Sequence, residues 1–254
     1  MRNKKVLFGK VDLSNGPVVV LVRPQLGQNI GGVARAMGNF SSKLLRVVEP
    51  RDGWPNQQAV AVASRSGNIL DSARVYDSTA AACADLNFIF ATTVRQRNLT
   101  KTVFEPKLAM VKALKLMSSG NKVGILFGSE RAGLENLDIA LSNAIITLPV
   151  DADYSSVNLS QSAGIILYEW FKLKKRNLSV KNMKNKSKIA SKDEIEKLWE
   201  NLHKQLSNVN YFWPDGKKRS MEENLYNLLN NGALTDADVK TIHGVIKALV
   251  KKIG

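Results

Sequence analysis

Three stretches of this sequence carry polar side chains at spacings that invite a chemical reading. The first, LGQNIGGVARAMGNF (residues 26–40), follows an apolar run and places Arg35 six residues after Asn29. Strand, glycine-rich turn and helix start together make a place where backbone N–H groups can meet an anion. The second, FGSERAGLE (residues 127–135), sets Glu130 and Arg131 between Gly128 and Gly133. The third, ADYSSVNLSQS (residues 152–162), gathers Ser155, Ser156 and Asn158 ahead of a long apolar-striped segment. Neither glycine loop is a nucleotide motif. Aligned on Gly27, the first puts Asn29 where a dinucleotide fingerprint needs its second glycine. The second has Leu134 and Glu135 where a P-loop needs Lys and Ser or Thr, and a carboxylate there repels phosphate.

Composition removes other chemistries. Cys83 is the single cysteine, set in a run of alanines, and reads as a small buried thiol. With His203 and His243 as the only histidines, there are too few ligands for structural zinc and too few partners for a histidine triad, so no metal is expected. No stretch reaches the roughly 18 to 20 apolar residues of a membrane span, and the first residues are too weakly apolar for a secretory segment. A soluble, cytoplasmic protein without a membrane partner is therefore expected. The formal net charge of +15 points to a polyanionic partner, nucleic acid first.

The elements that must position these residues alternate. Val18–Val22, Leu44–Val48, Asn87–Ala91, Val123–Phe127 and Ala144–Leu148 read as buried strands. Between them, helices are expected from near Asn29 or Gly31, over Gln57–Ser64, from a Ser78 or Thr79 cap through Cys83, and over Pro106–Met117; another spans Leu159–Phe171. Such alternation predicts an α/β fold with a mostly parallel sheet covered on both faces. Lys172 to Lys188 then carries eight Lys or Arg and no acid, a basic linker. Beyond it, Ser191 with Glu194 is a capping-box signature for a helix through Leu206, and further helices are expected over 221–230 and 235–252. The division is thus residues 1–175, a linker at 176–190, and a small all-α extension at 191–254.

Each singled-out residue also has an ordinary reading: Asn29 as a cap, Glu130 and Arg131 as a loop ion pair, Ser155, Ser156 and Asn158 as the polar opening of a helix. Their combination and order carry more. Asn29-x5-Arg35, FGSERAGL, and LPV followed by YSSVNLSQS resemble, in sequence, the three motifs of the SpoU branch of the SPOUT RNA 2′-O-methyltransferases. The segments WENL, FWP, MEENL and LTDADVKTIHGVI resemble the helical extension of the TrmJ enzymes, which methylate the ribose of tRNA nucleotide 32. Together the resemblance covers about residues 16–175 and 191–252.

The resemblance implies a deep trefoil knot in the C-terminal part of the α/β domain, an exception to the rule against threaded chains. It implies S-adenosylmethionine as cofactor, held through Thr92, Thr93, Val94, Gly128, Leu148, Ser155, Ser156 and Val157. It further implies catalytic roles for Arg35, Asn29, Glu130, Ser156 and Asn158, with Arg35 as the base or as the anchor of the phosphate beside the target ribose. Contacts to RNA are expected from Arg35, Arg131, Lys172, Lys174, Lys175 and Arg176, and a homodimer completes each site. The extension and linker then clamp tRNA; residues 171–254 hold 18 Lys or Arg against 9 Asp or Glu. A ribosomal RNA target, or a non-catalytic RNA-binding module on the same fold, remain open on sequence.

Overall fold

The computed structural model describes Leu13 and residues 15–94, 101–175 and 188–253. Arg176 and residues 177–187 of the expected linker lie outside them.

Seven strands form one sheet: β1 (Val18–Val22), β2 (Leu45–Val48), β3 (Arg74–Tyr76), β4 (Phe88–Thr92), β5 (Val103–Phe104), β6 (Val123–Phe127) and β7 (Ala144–Ile146). Their order is β3-β2-β1-β6-β4-β7-β5, and every pairing is parallel. The two central strands, VVVLV and VGILF, are buried along their whole length, which is why they read as unbroken apolar runs. The two edge strands, three and two residues long, have no such run and escape a sequence reading.

Side chains alternate across the pleat and build two cores. Val19, Leu21, Phe90, Ile125 and Phe127 face one layer, filled by α1 (Gly27–Asn39), α2 (Gln57–Ala63), α3 (Gly67–Asp71), α5 (Pro106–Ser118) and α7 (Leu159–Lys175). Val18, Val20, Val22, Ile89 and Leu126 face the other, where α4 (Thr79–Cys83) and α6 (Asn136–Leu141) supply only five and six helical residues. Cys83 is buried here, as its neighbours suggested, and burial pushes its thiol up to about 12.

That thin second layer is where the C-terminal helices dock. They are α8 (Lys192–Asn208), α9 (Asp215–Asn231) and α10 (Asp236–Ile253), with a small core of Ala190, Ile195, Leu198, Leu229, Val239 and Ile246. The Ser191 and Glu194 capping box forms in both directions. Lys192 N donates to Leu86 O (2.9 Å), and Asn143 Nδ2 donates to Gly232 O (2.9 Å), tying the start of α8 and the end of α9 to the segments that lead into β4 and β7. Lys192 itself is buried, its Nζ donating to Asn230 Oδ1 at 2.6 Å. None of the helices among the described residues is long and apolar enough to cross a membrane.

Candidate active site

Adjacent parallel strands deliver their C-terminal loops to one edge of the sheet, and β6, β4 and β7 are adjacent. The loops after them, with the segment preceding α7, enclose a cleft of about 270 Å³. Thr92, Thr93, Val94, Gly128, Leu148, Ser155, Ser156 and Val157, the whole set expected at the cofactor, line it. Glu130 and Arg131 line it as well. Phe127, Leu134, Ile146 and Leu159 form apolar walls, while Ser129 and Ser162 add hydroxyls. The sequence reading assigned none of these six to the site, although all but Ile146 stand inside the motifs it used.

Gly128 is fixed by space rather than by φ. The loop folds back in a short antiparallel bridge of Ser129 with Gly133, closed by Gly133 N donating to Ser129 O at 2.9 Å. A Cβ on Gly128 would stand 2.2 Å from the Gly133 carbonyl carbon and 2.3 Å from Leu134 N. Gly133, at φ 71°, takes the left-handed turn itself.

Beside the cleft runs a chain of hydrogen bonds joining all three motifs. Glu130 Oε2 accepts from Gln25 N (2.8 Å), and its Oε1 accepts from Leu26 N (3.2 Å) and Asn29 Nδ2 (2.7 Å). Asn29 Oδ1 in turn accepts from Asn158 Nδ2 (2.9 Å). Asn158 Oδ1 caps α7, accepting from Ser160 N (2.9 Å) and Ser160 Oγ (2.7 Å). The amide of Asn29, only 8% exposed, thus has both ends occupied, and its side chain is oriented rather than free.

This arrangement moves the start of α1. The helix begins at Gly27, ahead of the expected Asn29 or Gly31, and Leu26 at its cap offers no side-chain acceptor. Glu130 instead holds the chain that enters the helix, accepting from the N–H groups of Gln25 and Leu26 just ahead of Gly27. The glycines of α1 serve packing. A Cβ on Gly27 would lie 2.0 Å from Asn56 Oδ1, and one on Gly31 would lie 2.3 Å from Ala59 O, so both admit α2. Gly32 faces α7, where a Cβ would reach Ser160 Cβ at 2.8 Å.

Arg35 stands apart from this network. It is exposed on α1, outside the cleft lining, and its guanidinium has no hydrogen bond or ion pair among the described residues. Neither Asn29 nor Asn158 touches the cleft directly; both act beside it. Among the expected RNA contacts, Arg131 is exposed and unpaired among the described residues. Lys172 is paired: Glu169, three residues back, meets it at 2.8 Å, and its Nζ lies 5.0 Å from the Tyr168 ring centre. Lys174 is also engaged, and Lys175 lies over the Phe171 ring at 5.1 Å.

The sequence reading missed Arg23. At φ 50° at the end of β1, it pairs with Asp138, with Glu135 at 3.4 Å and with Glu49 at 3.9 Å, while Thr79 Oγ1 donates to Asp138 at 2.6 Å. It therefore braces the start of α6 against the turn whose next N–H groups bind Glu130. The Arg23-Pro24 pair after a buried strand was the available signal. Among the described residues no group of three or more His, Cys, Asp or Glu could hold a metal ion.

Comparison with known proteins places these motifs. Residues 16–168 match the model of the SpoU rRNA Methylase family. A tRNA (cytidine-2′-O-)-methyltransferase TrmJ from Methanocaldococcus jannaschii is 31% identical, the match covering 90% of this chain and 97% of that protein. A tRNA (cytidine/uridine/adenosine-2′-O-)-methyltransferase TrmJ from Pseudomonas aeruginosa is 27% identical over 90% of this chain and 91% of its own length. The crystal structure of TrmJ from Z. mobilis ZM4 superposes with a TM-score of 0.82 at 40% identity, covering 92% of this chain and 98% of that one. With the motif order, the sheet and these matches in agreement, the chain belongs to the SpoU rRNA Methylase family and is a methyltransferase.

Proposed function

We propose that this enzyme methylates a ribose 2′-hydroxyl of tRNA, at nucleotide 32 of the anticodon loop, with S-adenosylmethionine as donor and as a homodimer. The observation that carries the reading is the hydrogen-bonded chain Glu130–Asn29–Asn158 beside a cleft lined by all eight residues expected at the cofactor. Two relatives similar over nine tenths of the chain are named as tRNA 2′-O-methyltransferases, and they differ in the nucleosides named.

The cleft suits the donor. Phe127, Leu134, Ile146, Leu148 and Leu159 offer apolar walls for a flat heterocycle, and Thr92, Thr93, Ser155, Ser156 and Ser162 offer hydroxyl and backbone groups for its polar ends. When bound, S-adenosylmethionine supplies an electrophilic methyl group on a sulfonium. The protein's own task is to orient a ribose hydroxyl and remove its proton. Glu130 holds Asn29, Asn29 holds Asn158, and Asn158 fixes the first turn of α7 directly after the Ser155–Val157 wall of the cleft. Ser156, exposed on that wall, is assigned to the ribose.

Arg35 is assigned the phosphate beside the target ribose. A guanidinium offers paired, planar donors that match a phosphate. Because it lies outside the cleft lining of its own chain, we assign Arg35 to the cleft of the partner in the proposed homodimer. Arg35→Ala is expected to abolish methyl transfer while leaving S-adenosylmethionine affinity within about twofold, measured by calorimetry; an equal loss of cofactor affinity removes this assignment. Transfer of labelled methyl to tRNA but not to ribosomal RNA tests the substrate, and the reverse pattern supports the ribosomal reading.

A further inference from the structure

The turn between α8 and α9 exposes an aromatic surface that neither the catalytic site nor the folding of the module uses. Trp213 is 73% exposed and Tyr211 51% exposed, yet Phe212 between them is buried. Tyr211 is held from below. Phe212 stacks on His203 with centroids 5.1 Å apart and planes at 29°, and Tyr211 meets Phe212 edge-on at 5.3 Å. His203 Nε2 is fixed against Glu222 Oε1 at 2.8 Å. Backbone bonds close the turn: Asn210 N donates to Ser207 O (3.1 Å) and Tyr211 N to Leu206 O (3.0 Å). An exposed indole, with only two side-chain torsions, loses little freedom when a flat partner covers it.

Charge around the turn selects the partner. Trp213 and Lys218 line one open pocket of about 630 Å³ with Ser207, Asn210, Phe212 and Asp215. Lys217 and Lys218 are exposed and have no side-chain partner among the described residues. The nearby acids are spent: Glu222 on His203, and Glu223 on Arg219 at 3.0 Å. Asp215, the one carboxylate lining the pocket, sits in the first turn of α9, where the helix dipole favours it. Flat aromatic surface beside unpaired lysines, on a chain of net charge +15, matches unpaired nucleotides: bases stack on the rings and phosphates meet the ammonium groups. A basic patch alone would also accept paired duplex, which presents no free base face.

We infer that the Tyr211–Trp213 turn is a base-stacking platform for unpaired nucleotides of the RNA substrate, with Lys217 and Lys218 holding the adjoining phosphates. This deepens the tRNA reading above and rests on it. Trp213 and Tyr211 touch no group of the cleft, so their contribution is to substrate affinity.

The test uses the full chain with Trp213→Ala, Trp213→Phe and the Lys217→Ala/Lys218→Ala double variant. Binding is measured to an RNA hairpin with an unpaired loop and to the same stem as a blunt duplex. Trp213→Ala should weaken hairpin binding about tenfold and leave duplex binding within twofold, a loss in the range of one stacked base. Trp213→Phe should recover most of it. The lysine variant should flatten the salt dependence of hairpin binding by about 0.7 logarithmic units per lysine. In methyl transfer to tRNA, KM should rise with kcat held. Equal hairpin affinity for wild type and Trp213→Ala overturns the platform, as does a loss shared equally by hairpin and duplex. A dimer that becomes monomeric in Trp213→Ala shows a protein contact there instead and also overturns it. Absence of methyl transfer to tRNA by the wild type would strike the functional reading alone, because the hairpin and duplex comparison reads the platform without catalysis.

Discussion

Removing the carboxylate of Glu130 should loosen two things together, the entry of α1 and the alignment of the motif residues. In Glu130→Ala, three donors lose their acceptor: Asn29 Nδ2 at 2.7 Å, Gln25 N at 2.8 Å and Leu26 N at 3.2 Å. The Asn29 donor lies on a residue 8% exposed, so water replaces the lost partner poorly and the cost is about 1–3 kcal/mol. Gln25 is half-buried and Leu26 exposed; their N–H groups can rehydrate, adding less than about 1 kcal/mol each. A total of roughly 1–5 kcal/mol lowers Tm by about 2–20 °C for a domain of this size. Scanning calorimetry of Glu130→Ala and Glu130→Gln beside wild type measures it, and the Gln variant, keeping one carbonyl acceptor, should fall between. Methyl transfer should drop at least tenfold in Glu130→Ala, since Asn29 loses the bond that orients it toward Asn158. A variant with Tm within about 1 °C of wild type and unchanged kcat would refute the claim that this chain of bonds organises the site.

Further outcomes follow from single features. Gly128→Ala forces apart backbone atoms that a Cβ would approach to 2.2 Å, and should reduce S-adenosylmethionine affinity by at least tenfold in calorimetry; unimpaired binding contradicts the tight turn. Arg131→Ala, which removes an unpaired cation at the cleft, should weaken tRNA binding several-fold more than Lys172→Ala, whose ammonium already serves Glu169; equal losses in filter binding contradict this. Burial, with repulsion from Lys101 next, holds the Lys192 ammonium down to about 7, and burial holds Lys101 down to about 8. Both lysines bind their protons more readily in the unfolded chain, so stability should rise with pH from about 7 towards the ordinary lysine range. Lys192→Met should remove its share of that rise and leave the Lys101 share; melting curves at about pH 7 and pH 9.5 with identical shifts in both proteins would contradict the assignment.

The central strands and long helices were legible because apolar content and period survive in the sequence. Val123–Phe127 is found as a strand without adjustment, and α5 begins at Pro106. Helix α9 starts at Asp215, well before the expected residue 221, because its first turns, DGKKRS, are polar and show no apolar stripe. Edge strands β3 and β5 gain their structure from pairing with β2 and β7 and carry little signal of their own. Arg46 inside β2 breaks the apolar run yet is buried against Asp85 at 2.5 Å, and this hydrogen-bonded guanidinium holds the Asp85 carboxyl down to about 2. The glycines of the first motif suggested a ligand loop; their space is used by neighbouring helices instead. Contacts across a hundred residues, such as Glu130 with Asn29, leave no trace in local pattern, and only motif order hinted at them. The docking of α8 and α9 on the thin face of the sheet was equally hidden, since nothing in the capping box at Ser191 says what the helix packs against. The knot likewise depends on the path of the chain, and the resemblance alone supplied that expectation.

The most direct measurement is mass spectrometry of tRNA treated with the purified protein and S-adenosylmethionine, digested and mapped by fragment. The account predicts one added methyl on the ribose of nucleotide 32, absent when Arg35→Ala replaces the wild type. Unmodified tRNA, or a methyl found on a base, would contradict it.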